Sequence, residues 1–150
     1  MNKFIYLISP NKLGKNFYNE LDKVLSYGNV KFFQLRLKKT QKKHIIKIAK
    51  KIRQITFKNK VKFIINDDYS LVSKVKADGC HIGQFDGSIQ KAKASLKKKI
   101  LGVTCHNSIA LAKKAIKYRA NYIAFGSFFK SSTKKTTFKA NLEILRWAKK

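Results

Sequence analysis

VKFIINDDYSLVSKVKADGCHIGQFD, residues 61–86, reads as a strand, a helix and a second strand. VKFII is a β-branched and aromatic run, and the turn-forming pair Asn66-Asp67 stops it. In DYSLVSKV, Leu71, Val72 and Val75 have the spacing of one helix face. DGCHIG is a short strand closed by Gly83. Asp67 and Asp86 therefore each follow a strand. In parallel α/β folds the loops after the strands gather at one face, and ligands bind there. Four of the seven acids, Asp67, Asp68, Asp78 and Asp86, fall in this window, against 35 Lys+Arg in the whole chain. Composition alone does not concentrate carboxylates in so basic a chain. Two of them after adjacent strands suggest a Mg²⁺ site serving a phosphate.

The same alternation runs outward in both directions. Upstream, KFIYLIS (3–9) is a strand, FYNELDKVLSYG (17–28) a helix stopped by Gly28, and VKFFQLRL (30–37) a second strand. Thr40 is placed to cap a long basic helix whose apolar stripe is Ile45, Ile48, Ile52 and Ile55. Downstream, Ser88 is placed to cap IQKAKASL, KILGVT (99–104) is a strand, and Asn107 or Ser108 opens IALAKKAIKY. NYIAFG (121–126) is the sixth strand and LEILRWAKK (142–150) the sixth helix. Six strand–helix units in regular alternation predict a parallel sheet with outer helices. We read residues 1–150 as one α/β domain of (β/α)₈ TIM-barrel type that ends after about six units, since a full barrel takes about 200–250 residues. An open doubly wound sheet is the alternative.

The formal net charge is +28, from 31 lysines and only four arginines against the seven acids. Three readings of it stand: lysines solvating ordinary helix faces, anionic small-molecule substrates, and nucleic acid. Duplex readers lean on arginine and no nucleic-acid motif is present, so no nucleic-acid partner is expected. No apolar run approaches the about 18 residues of a membrane span. MNKFIYLISP reads as a first strand, without the apolar core of a leader. Cys80 and Cys105 have no paired spacing, which suits a reducing cytosol.

Gln34 and Arg36 are two apart on a strand and share a face, with Lys38 just beyond. A Gln and an Arg turned into a barrel are costly unless they meet a partner or ligand. Arg36 offers a planar fork to a phosphate and Lys38 a mobile charge. Asp68 fits a helix cap better than a ligand, and Asp78, before Gly79, fits a turn. Cys80-His81 and Cys105-His106 end neighbouring strands, but adjacent strand residues point to opposite faces, which argues against zinc. His81 and His106 are expected to shape the pocket mouth and His44 to be solvated. Lys130-Ser131-Ser132-Thr133-Lys134 follows the sixth strand as a candidate anion cradle.

Taken together, these segments resemble the thiamine-phosphate synthase family, a (β/α)₈ barrel, over essentially the whole chain. QLRLK (34–38) is similar to that family's QLREK, with Leu37 in place of Glu; IIND (64–67), HIGQFD (81–86), GVTCH (102–106) and GSFFKSSTK (126–134) match further motifs. The resemblance implies that Gln34, Arg36, Lys38, Asn66, Thr104 and Lys134 bind hydroxymethylpyrimidine diphosphate. It implies that Asp67 and Asp86 hold Mg²⁺, and that Ser131, Ser132 and Thr133 face a thiazole phosphate. Arg36, Lys38 and Lys134 would neutralise the departing pyrophosphate, and no general base is required. The thiazole tautomerase branch of the fold needs no diphosphate cradle, so the Gln34–Lys38 and Asp67/Asp86 sets favour the synthase. A non-enzymatic anion binder is the other alternative. The family's seventh and eighth strands, with a glycine-rich phosphate site, have no counterpart in these residues. An incomplete thiazole half and self-association through open strand edges are therefore expected.

Overall fold

The computed structural model describes residues 3–129 and 138–149. The elements alternate as the periodicity predicts: β1 (Ile5–Ile8), α1 (Phe17–Ser26), β2 (Val30–Leu35), α2 (Lys42–Lys58), β3 (Lys62–Asn66), α3 (Leu71–Lys74), β4 (Gly79–Ile82), α4 (Ile89–Leu96), β5 (Ile100–His106), α5 (Ile109–Lys117), β6 (Tyr122–Phe125) and α6 (Leu142–Lys149). The six strands form one parallel sheet in the order β1-β2-β3-β4-β5-β6. A sequential order has no switch point, so the doubly wound alternative falls. The sheet is curled. Tyr6 on β1 and Tyr122 on β6, five strands apart, hydrogen-bond through their hydroxyls at 2.6 Å.

Alternation along each strand sorts side chains to two faces. Phe33, Leu35, Phe63, Ile65, Cys80, Ile82, Leu101, Val103 and Cys105 point outward and are buried with the apolar stripes of the helices. Ile52 of α2 is fully buried there, and Ile45, Ile48 and Ile55 pack beside it as predicted. The concave face carries Tyr6, Phe32, Gln34, Asn66, His81, Gly102, Thr104 and Tyr122, with Tyr6, Phe32 and Tyr122 in aromatic contact. Cys80 and His81 thus lie on opposite faces, and both cysteines are free and buried.

Three local expectations change. Ser88 and Ser108 do cap α4 and α5, accepting from Lys91 N and Leu111 N. Thr40 does not cap α2: the helix opens at Gln41 without a side-chain cap, and the Thr40 hydroxyl turns back to Lys38 O at 3.4 Å. α3 is one turn long because Lys76 takes a left-handed backbone (φ 53°) and Ala77 N bonds back to Val72 O at 2.9 Å. Lys60 (φ 57°) after α2 and Arg119 (φ 55°) after α5 stop those helices in the same way, at positions that glycine usually takes. Asp78 is a brace more than a turn residue. Its carboxylate accepts from Arg53 of α2 and from Phe63 N, both at 2.8 Å.

Candidate active site

The C-terminal ends of the strands form one rim. At β2, Gln34 is almost wholly buried, and its side-chain amide donates to Asn66 Oδ1 at the end of β3. That contact answers the cost of an inward-facing glutamine. Ser9, which the sequence reading missed, ties β1 to β2: Ser9 N donates to Gln34 O and Ser9 Oγ accepts from Arg36 N, each at 2.9 Å. The guanidinium of Arg36 leans on Asn11 Oδ1 at 3.2 Å. Lys38 reaches across to the Asp67 carboxylate.

Asp67 sits where β3 ends. Its N–H still pairs with His81 O at 2.8 Å, while its φ of 66° turns the chain off the sheet. Aspartate tolerates that left-handed backbone better than most residues. Asp86 arrives from the loop after β4. Gly83 N donates to its Oδ2 at 2.7 Å, and a side chain on Gly83 would crowd that oxygen at 2.9 Å. Burial, and then a hydrogen bond shared with Asp67, raise the Asp86 carboxyl above the usual carboxylate range, while Lys38 works against the rise. Asp68 moves the other way. Burial pushes it up, but Lys42 and the Ser70 hydroxyl and N–H more than offset this and leave it below its ordinary value. It makes a turn with Ser70 N at 3.0 Å and an ion pair with Lys42 at 2.7 Å. The role is local, as expected, though α3 itself opens at Ser70.

Thr104 stands on the concave face of β5. Its carbonyl accepts from the Gln84 side chain, and its hydroxyl lies 2.8 Å from His81 Nε2. His81 is therefore not at the mouth. It is buried inside the curl, 3.0 Å from Tyr122 OH. Strand parity carried this signal, because His81 pairs in register with Asn66 and Gly102. His106 does lie at the rim, stacked on Phe138 at 4.2 Å, and His44 is exposed. Lys130, Ser131, Ser132, Thr133 and Lys134 lie outside the described residues.

Two cavities open at this face. The larger, about 450 Å³, is mostly apolar and lies between the loops after β4 and β5, around Phe85, His106, Leu111 and Phe138. The smaller, about 350 Å³, holds Lys42, Asp67, Asp68 and Asp86. The charged chemistry belongs to the smaller one, since among the described residues no carboxylate or lysine lines the larger. Among the described residues no group of three or more His, Cys, Asp and Glu comes together. Two carboxylates lining one cavity are nevertheless a donor set for a hard cation that keeps most of its waters, as Mg²⁺ does.

A family model described as thiamine monophosphate synthase matches residues 5–150. The chain belongs to that family. The thiamine-phosphate synthase of Pelagibacter ubique (strain HTCC1062) is 54% identical over 149 residues, 99% of this chain and 72% of that protein. The Erythrobacter litoralis (strain HTCC2594) thiamine-phosphate synthase is 38% identical, over 95% of this chain and 70% of its own length. Among solved structures, the thiamine phosphate pyrophosphorylase from Pyrococcus furiosus superposes with a TM-score of 0.82 at 28% identity. That match covers 97% of this chain and 68% of that one.

Proposed function

We propose that this site joins hydroxymethylpyrimidine diphosphate to a thiazole phosphate, giving thiamine phosphate and pyrophosphate. One observation carries the reading. Lys38, Asp67 and Asp86, from the ends of three successive strands, meet at one point in an otherwise cationic protein. In the reaction the bond between the pyrimidine methylene carbon and the diphosphate oxygen breaks, and the thiazole nitrogen bonds to that carbon. The barrier is the charge that gathers on the leaving pyrophosphate, so fixed positive charge is the main requirement. Arg36 and Lys38 supply it at the β2 end, and Lys134 adds to it in this reading. Gln34 and Asn66, locked to each other, present polar edges to the pyrimidine diphosphate. Thr104 offers a hydroxyl beside them, and Ser131, Ser132 and Thr133 take the thiazole phosphate. Asp67 and Asp86 would hold Mg²⁺, which when bound supplies further charge neutralisation to the diphosphate.

In finer detail, we read the curled sheet as six units of a (β/α)₈ barrel, which the overlay on the Pyrococcus furiosus structure supports. Two free, buried cysteines agree with a reducing cytosol. No helix among the described residues is long and apolar enough to cross a membrane. Self-association through the β1 edge, where Phe4, Ile5 and Ile8 are exposed, belongs to the same reading. The metal assignment is tested by calorimetry of the pyrimidine diphosphate with and without Mg²⁺. Asp67→Ala and Asp86→Ala should each abolish the Mg²⁺ enhancement of binding. An enhancement that survives in both variants removes the pair from the metal site.

A further inference from the structure

Four polar side chains run in line through the concave face. Tyr6 OH is 2.6 Å from Tyr122 OH, Tyr122 OH is 3.0 Å from His81 Nδ1, and His81 Nε2 is 2.8 Å from Thr104 Oγ1. The line begins deep in the curl and ends at the rim. It depends on a glycine. His81, Gly102 and Tyr122 are register neighbours on β4, β5 and β6. A side chain at Gly102 would lie 2.0 Å from the Tyr122 ring, so only a bare β5 lets that ring cross to His81.

The protons of such a line can run in two directions. A phenol donates one proton, and a neutral imidazole donates at one nitrogen and accepts at the other. In the inward direction Thr104 donates to Nε2, Nδ1–H donates to Tyr122, and Tyr122 donates to Tyr6. The Tyr6 proton then has no acceptor among the described residues, and a half-buried donor left unpaired is costly. In the outward direction Tyr6 donates to Tyr122, Tyr122 to Nδ1, and Nε2–H to Thr104 Oγ1. Every interior proton is then used, and the Thr104 proton alone turns to the rim. Burial pushes the Tyr6 hydroxyl up to about 12 and raises that of Tyr122 as well, so both phenols keep their protons at neutral pH.

We propose that His81 is a positioning residue, held as the Nε2–H tautomer by Tyr6 and Tyr122, that makes Thr104 a hydrogen-bond donor to an anionic oxygen of the bound diphosphate. This rests on the reading above that Thr104 faces that substrate. A threonine hydroxyl that already accepts one bond from within is directed, and a directed donor suits a phosphate oxygen better than a freely turning one.

The test is ¹⁵N NMR of the histidine-labelled chain, with His81 assigned by its loss in His81→Gln. Wild type should show a protonated Nε2 and an unprotonated Nδ1. Tyr122→Phe, which keeps the ring, should show a mixture of tautomers. In parallel, calorimetry with inorganic pyrophosphate and Mg²⁺ should give about tenfold weaker binding for Tyr122→Phe and for Thr104→Val. His81→Gln, which keeps an N–H donor, should bind more tightly than His81→Leu. A wild-type Nδ1–H tautomer, or an imidazolium, overturns the proposal. Unchanged pyrophosphate binding in Thr104→Val, with the Nε2–H tautomer in place, sinks the substrate-facing role of Thr104 and the proposal built on it. The roles of Asp67 and Asp86, read by their own Mg²⁺ titration, would be untouched.

Discussion

The two faces of the sheet are made by the same strands and differ in almost everything else. The convex face is apolar wherever it meets the helices: Phe33 and Leu35 on β2, Phe63 and Ile65 on β3, Leu101 and Val103 on β5. One residue along each strand, the concave face carries Gln34, Asn66, His81 and Thr104, each bonded to another side chain. Apolar burial is concentrated on one face, and the polar groups to which the proposed function assigns recognition lie on the other. A substitution should therefore declare its face by what it damages.

The largest expected effect is on the convex side. Phe63→Ala should cost about 3–5 kcal/mol in chemical denaturation, because a fully buried ring leaves a cavity between sheet and helices. The half-buried Phe32, on the concave side of β2, should cost clearly less when truncated. Equal losses would break the comparison.

Next comes Gly102→Ala. The added methyl would strike the Tyr122 ring at 2.0 Å, an overpacking expected to cost about 1–3 kcal/mol. The convex core stays intact, so the chain should still unfold cooperatively while pyrophosphate binding falls more than stability does. A loss of stability without a loss of binding would place Gly102 with the convex face.

A smaller effect is expected from Asp86→Asn. Burial and the Asp67 carboxylate raise the Asp86 carboxyl, so the folded state holds this proton more tightly than the unfolded chain. That contribution is present at low pH and is lost as pH rises through the raised value. Without Mg²⁺, Asp86→Asn should raise Tm at neutral pH and leave it unchanged below the ordinary carboxylate range. Saturating Mg²⁺ should remove the advantage. A variant destabilised at neutral pH in metal-free buffer would show that the two acids do not strain the rim.

The smallest effects belong to neither face. Lys60 and Arg119 hold left-handed backbone at helix ends. Lys60→Gly and Arg119→Gly should each stabilise by about 0.5–1 kcal/mol, the relief of the side-chain clash less the entropy of glycine. Thermal denaturation reads this, and binding should not change.

Local periodicity and composition were enough to place the six strands and six helices of the described residues, because each rests on residues close in sequence. Ile45, Ile48, Ile52 and Ile55 declare their helix face by spacing, and Ser88 and Ser108 their caps by residue type. The concentration of acids around Asp67 and Asp86, and the motifs from Gln34 to Thr104, were equally legible. Tertiary structure alone decided what those residues touch. It curled the sheet until Tyr6 met Tyr122, and it sank His81 into the interior, away from the pocket mouth where the sequence predicts it. It turned Asp78 from a loop residue into a brace for Arg53 and Phe63, and brought Asp67 against Asp86. The reason is physical. A strand's own residues fix which side chains share a face, but the partner across that face comes from another strand tens of residues away, and only sheet curvature and register set the distance between them.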